Sequence, residues 1–131
     1  MTSAGHAHSS ILLPLPRDVR EHSGACRVAR DSPQAIDVDD LRIKRAARRW
    51  WRRCPRESIT SLPATTVRVA VDRSKLAHRD GYRLTVRTDG IELIGDSPAG
   101  CFYGLQTLTQ LTDFASGEVP CCVIDDFPDF T

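Results

Sequence analysis

Tyr82-Arg83-Leu84-Thr85-Val86-Arg87-Thr88-Asp89-Gly90-Ile91-Glu92-Leu93-Ile94-Gly95, followed at once by Asp96-Ser97-Pro98-Ala99-Gly100-Cys101, decides the fold. Tyr82 to Gly95 holds two alternating runs joined by Asp89-Gly90, a pair that tolerates the positive φ angles of a tight turn, so the stretch predicts a β-hairpin. With Asp89-Gly90 as the loop, Arg87 faces Glu92 and Val86 faces Leu93, a charge pair on one side and an apolar pair on the other. Ser97 is a suitable N-cap and Pro98 suits the first helical position. From there Cys101, Leu105, Leu108 and Leu111 trace an apolar stripe, which predicts a helix to about Asp113.

Outward from this unit the same periods recur. Val119 to Ile124 reads as a strand with apolar residues on both faces, Val119, Cys121 and Val123 against Cys122 and Ile124. Upstream, Val67, Val69 and Val71 alternate with Thr66, Arg68, Ala70 and Asp72 as in a half-buried strand. Asp37 to Arg53 has the helical pattern, with Asp37, Asp39 and Asp40 at the end where the macrodipole favours anions, arginines at the other, and Ile43, Ala46 or Ala47, and Trp50 at helical spacing; Pro55 ends it. A weak strand near Cys26 to Ala29 precedes the turn Asp31-Ser32-Pro33. Leu13-Pro14-Leu15-Pro16-Arg17 reads as an extended lead-in, and residues 1–10 as a disordered lead. The expected fold is α+β, a mostly antiparallel sheet of four or five strands with two helices packed on one face, in a single domain over 11–131.

Composition bounds the function. A chain of 131 residues, 40% apolar, suffices for one domain and is too short for that domain plus a (β/α)8 barrel. Eighteen basic against 17 acidic residues point globally to neither nucleic acid nor an anionic membrane. Residues 1–10 carry no signal-peptide pattern and Pro14 breaks the apolar run Ile11-Leu12-Leu13, so no membrane span and a cytoplasmic setting are expected. Cys26, Cys54, Cys101, Cys121 and Cys122, an odd set without C-x-x-C spacing, read as reduced, mostly buried thiols.

The helix Asp96 to Leu111, with its small-residue start, Phe102-Tyr103-Gly104-Leu105-Gln106-Thr107-Leu108 core and Gln110-Leu111 close, resembles a pattern of the family 20 glycoside hydrolases, the β-N-acetylhexosaminidases. Gly81-Tyr82-Arg83-Leu84-Thr85-Val86 with Asp89-Gly90-Ile91 resembles the hairpin of that family's N-terminal non-catalytic domain. Val119-Pro120 and Ile124-Asp125-Asp126-Phe127-Pro128 resemble the strand leading into its barrel, and Leu13-Pro14-Leu15-Pro16 its opening. Asp129 stands where the family commonly has Arg. The resemblance implies a parent enzyme that removes terminal N-acetylhexosamine from glycans by substrate-assisted, retaining chemistry, with an Asp-Glu pair on a TIM barrel. It places no catalytic residue on this chain, which alone is predicted inactive, and no cofactor or metal. The missing barrel is its expected partner. A stand-alone interaction domain using the Arg-rich helix or the exposed sheet face is the alternative.

Other features have structural readings. Arg42, Arg45, Arg49 and Arg52 fall on one helical side away from Ile43 and Trp50, as a solvated face does, although with Lys44, Arg48, Arg53, Trp50 and Trp51 they could compose a nucleic-acid surface. Asp125 and Asp126 point to opposite faces of a strand and do not converge on a ligand. His6 and His8 have no further metal ligand nearby. Cys121-Cys122 as a redox pair would close a strained ring. Gly100 and Gly104 suit close packing, and with Gly95 they do not form G-x-G-x-x-G. Because two helices on one side leave half of strand Val119–Ile124 uncovered, an apolar patch near Cys122 and Ile124, with self-association of the isolated chain, is expected.

Overall fold

The computed structural model describes residues 18–56, 66–73 and 79–127. Residues 1–10, expected to be a disordered lead and including His6 and His8, the expected lead-in Leu13 to Arg17, and the end Pro128 to Thr131 with Asp129 lie outside the described residues. Six strands and two helices follow in the order β1 (Asp18–Arg27), β2 (Gln34–Asp37), α1 (Leu41–Arg53), β3 (Thr66–Val71), β4 (Tyr82–Arg87), β5 (Gly90–Gly95), α2 (Pro98–Leu111) and β6 (Glu118–Asp126). The sheet order is β1-β6-β4-β5-β3-β2. Pairings β1/β6, β6/β4 and β4/β5 are antiparallel, and β5/β3 and β3/β2 are parallel. The fold is α+β, as expected, and the mixed sheet is antiparallel at three of its five pairings, with six strands where four or five were expected.

β2 is one source of the difference. Its four residues follow the expected turn Asp31-Ser32-Pro33 and end on Asp37, where the first helix was expected to start, and they pair in parallel with β3, Ile36 opposite Val69. Such a pair needs a crossover, which α1 supplies. Asp37 therefore ends a strand, and the helix begins four residues later. Asp40 is its N-cap, accepting from the Arg42 backbone N–H at 2.9 Å. That hydrogen bond, first among the causes, holds the Asp40 carboxyl below its usual range.

β1 is longer than expected because its middle is irregular. From Glu21 to Ala25 it advances four residues while β6 retreats two, from Cys122 to Pro120, and Gly24 sits at φ +93° in that bulge. The polar run Glu21-His22-Ser23-Gly24 hides the alternation that flanks it.

The hairpin exists in a different register. Arg87 pairs with Gly90, so the two-residue loop is Thr88-Asp89 and not Asp89-Gly90. Positive φ is found at Asp80, Gly24 and Gly117 among the described residues, and so not in this loop. β3 supplies the reason: Thr66 lies opposite Gly90 and makes it a strand residue. The slip is by two positions, which keeps every side chain on its expected face. Val86 meets Ile91, Leu84 meets Leu93, and Glu92 faces Thr85 instead of Arg87.

One side of the sheet carries Val67, Val69, Tyr82, Leu84, Val86, Ile91, Leu93, Cys122 and Ile124, all buried and joined in one core with Ile43, Ala47 and Trp50 of α1, its C-cap Cys54, and Cys101, Leu105, Leu108 and Leu111 of α2. Both helices thus cover one face. α2 lies closest: a Cβ on Gly104 would strike Leu93, and one on Gly100 would strike the Gly81 carbonyl, so both glycines serve close packing. Four polar side chains under this layer are paired with one another or with backbone. Trp50 Nε1 donates to Thr112 Oγ1 at 2.9 Å, Thr112 Oγ1 donates to Leu108 O at 2.6 Å, and Tyr82 and Thr107 share a hydroxyl hydrogen bond of 2.6 Å.

Candidate functional site

The face of the sheet away from the helices carries most of the charged residues of the strands. Cross-strand register places Arg20, Arg68, Arg83, Thr85, Arg87, Glu92 and Asp125 there. Their charges answer one another. Asp125 accepts from Arg83 Nε at 2.7 Å and from an Arg20 Nη at 3.2 Å, and Arg68 pairs with Glu92 at 3.2 Å and Asp37 at 3.6 Å. A shallow depression of about 210 Å³ lies between Thr66, Arg68, Thr85, Arg87, Asp89 and Glu92. Its lining is hydroxyls, guanidinium groups and carboxylates, with Thr85 directly across from Glu92.

The positions singled out from sequence disperse over the fold. Asp125 is on this open face; Asp126, opposite Tyr82, belongs to the covered face, so the pair does diverge. Cys26, Cys54, Cys101, Cys121 and Cys122 are all buried free thiols. Burial is the first cause that pushes Cys26 and Cys122 up to about 12 and Cys54 and Cys101 up to about 11. Cys121 is raised for the same reason. Such thiols are protonated at neutral pH, and vicinal redox chemistry at Cys121-Cys122 has no thiolate to begin from. Arg42, Arg45, Arg49 and Arg52 are exposed, as is Arg48. Trp51 Nε1 is buried with no hydrogen-bond partner, unlike Trp50 on the adjacent position.

The expected apolar patch is displaced. Cys122 and Ile124 retain 3% and 0% of their surface, because they lie beside Val86 and Leu84 under the helices. Val119, three positions before Cys122, is also in the core, which strict alternation would forbid; the irregular pairing with β1 lies between them. The large apolar side chains left exposed among the described residues are Leu41 on α1 and Tyr103 on α2.

This architecture, two helices on a mixed sheet, coincides with a match of residues 9–127 to glycosyl hydrolase family 20, domain 2. The chain belongs to that family. A beta-hexosaminidase of Vibrio vulnificus is 27% identical over 128 residues, covering 93% of this chain and 14% of the relative. One of Akkermansia muciniphila is 46% identical over 52 residues, covering 37% of this chain and 10% of the relative. The solved GH20 exo-β-N-acetylglucosaminidase of Vibrio harveyi superposes with a TM-score of 0.69 at 24% identity, covering 94% of this chain and 20% of that one. The family 20 domain therefore spans a small fraction of these relatives' length, and most of each relative lies elsewhere.

Proposed function

We propose that this family 20 domain is the non-catalytic part of a β-N-acetylhexosaminidase that removes terminal N-acetylhexosamine residues from glycans, and that its role is to support the catalytic barrel. The observation that carries the reading is the match to domain 2 over residues 9–127, together with a sheet and helix layer that form a continuous core.

Hydrolysis of a chromogenic N-acetylglucosaminide is the test. The purified chain should show no turnover, and a family barrel produced with this domain attached should melt higher than the barrel alone. Turnover that scales with the concentration of the isolated chain, or a barrel indifferent to the attached domain, overturns the proposal.

A further inference from the structure

Four exposed arginines of the sheet have carboxylate partners, Arg20 and Arg83 on Asp125, Arg27 on Glu118, and Arg68 on Glu92 and Asp37, and a fifth, Arg87, is paired with none among the described residues. On α1 the pattern reverses. Arg42 reaches Asp40 at 3.5 Å and Lys44 reaches Asp39 at 3.8 Å, both before the helix, and Arg53 lies over the Phe114 ring at 3.9 Å. Arg45, Arg48, Arg49 and Arg52 are exposed and, among the described residues, none of them is paired with a carboxylate. The helix contains no acidic residue at all. At i, i+3 and i+4 spacing these four guanidinium groups repel one another, and glutamates interleaved on the same face would remove that cost.

Leu41 shares the ridge. It stands four, seven and eleven positions before Arg45, Arg48 and Arg52, which is one side of a helix, and it is 60% exposed. An extended polyanion would satisfy the arginines and leave Leu41 in water. A protein surface with carboxylates around an apolar contact would satisfy both, and Arg is among the residues enriched at the energetic centres of such interfaces. We infer that the outer ridge of α1, Leu41 with Arg45, Arg48, Arg49 and Arg52, is a docking surface for an acidic protein segment. The inference goes beyond the supporting role above and stands on the charges of α1, so its failure would leave the family reading intact.

The probe is a synthetic amphipathic peptide with Glu and Leu on one helical face, compared with a scrambled peptide of the same composition and with heparin, by fluorescence anisotropy. The designed peptide should bind more tightly than its scrambled form. Arg45→Gln/Arg48→Gln/Arg49→Gln/Arg52→Gln should weaken it about tenfold or more, and Leu41→Ser roughly fivefold, as one partly buried leucine would. The paired change Arg68→Gln/Arg83→Gln should leave binding unchanged. Both ridge variants should retain the wild-type melting temperature or exceed it, since like charges are removed; the double change Arg45→Gln/Arg49→Gln replaces the quadruple one should that not fold. Equal binding of the two peptides, indifference to Leu41→Ser, or an equal loss from the sheet-face variant would overturn the inference, as would heparin binding without peptide binding.

Discussion

At the level of single residues, the thiols tie stability to pH. Unfolded cysteine titrates near 9.0, whereas burial raises Cys26 and Cys122 to about 12 and Cys54 and Cys101 to about 11. Tyr82 moves the same way, from 10.0 to about 12, chiefly through burial. Between these values the folded state holds more protons than the unfolded one, so stability is intact below pH 9 and falls as pH rises toward 12. Thermal melts across that window should show a progressive loss, and a melting temperature that stays level would contradict the burial of these groups. The cysteines were legible in advance because an odd, unspaced set has few uses other than packing. The bond of Trp50 to Thr112 was not, since 62 residues separate them and neither residue type announces its partner.

At the level of elements, local chemistry was readable and neighbourhood was not. Ser97 caps α2 as expected, accepting from the Gly100 N–H at 3.2 Å, and α2 ends within two residues of the anticipated Asp113. The strand periods of β3, β4, β5 and β6 were likewise visible. β2 escaped because four residues carry too little alternation to register, and the parallel pairing of β3 depends on β5 lying between it and β4, which no local period encodes. The hairpin loop shifted because docking on β3 outweighed the turn preference of Asp89-Gly90. A consequence concerns α2. Gly100→Ala should cost about 1–3 kcal/mol despite the roughly 1 kcal/mol gain in helix propensity, because its new methyl meets the fixed Gly81 carbonyl. Gly104→Ala should cost less, since the obstructing Leu93 methyl can rotate away. Denaturant midpoints for the two variants give the comparison, and the reverse order would mean that α2 sits farther from the Gly81 turn.

Across the whole molecule, the two sides of the sheet differ in kind: one is the core, and the other sets the ion pairs of Arg20, Arg68 and Arg83 beside the small apolar cover of Ala70 and Ile94. The anticipated exposure at Cys122 and Ile124 supposed a strand bare on one side, and the charged residues of β1 and β4 beside Asp125 occupy that side instead. A hydrophobic dye should accordingly bind weakly to the folded chain and strongly only at its melting transition, since among the described residues the large exposed apolar side chains are Leu41 and Tyr103. Bright dye emission well below the transition would restore the idea of an uncovered face. Finally, β1 is partnered by β6, and Arg20 reaches Asp125 across 105 positions of sequence. A chain emerging from the ribosome presents β1 first and its neighbour last, so the sheet cannot close during synthesis of the intervening residues. Until β6 is released, β1 has an unfilled edge on the side where β6 belongs, and folding of this domain is a late event that waits for its own final strand.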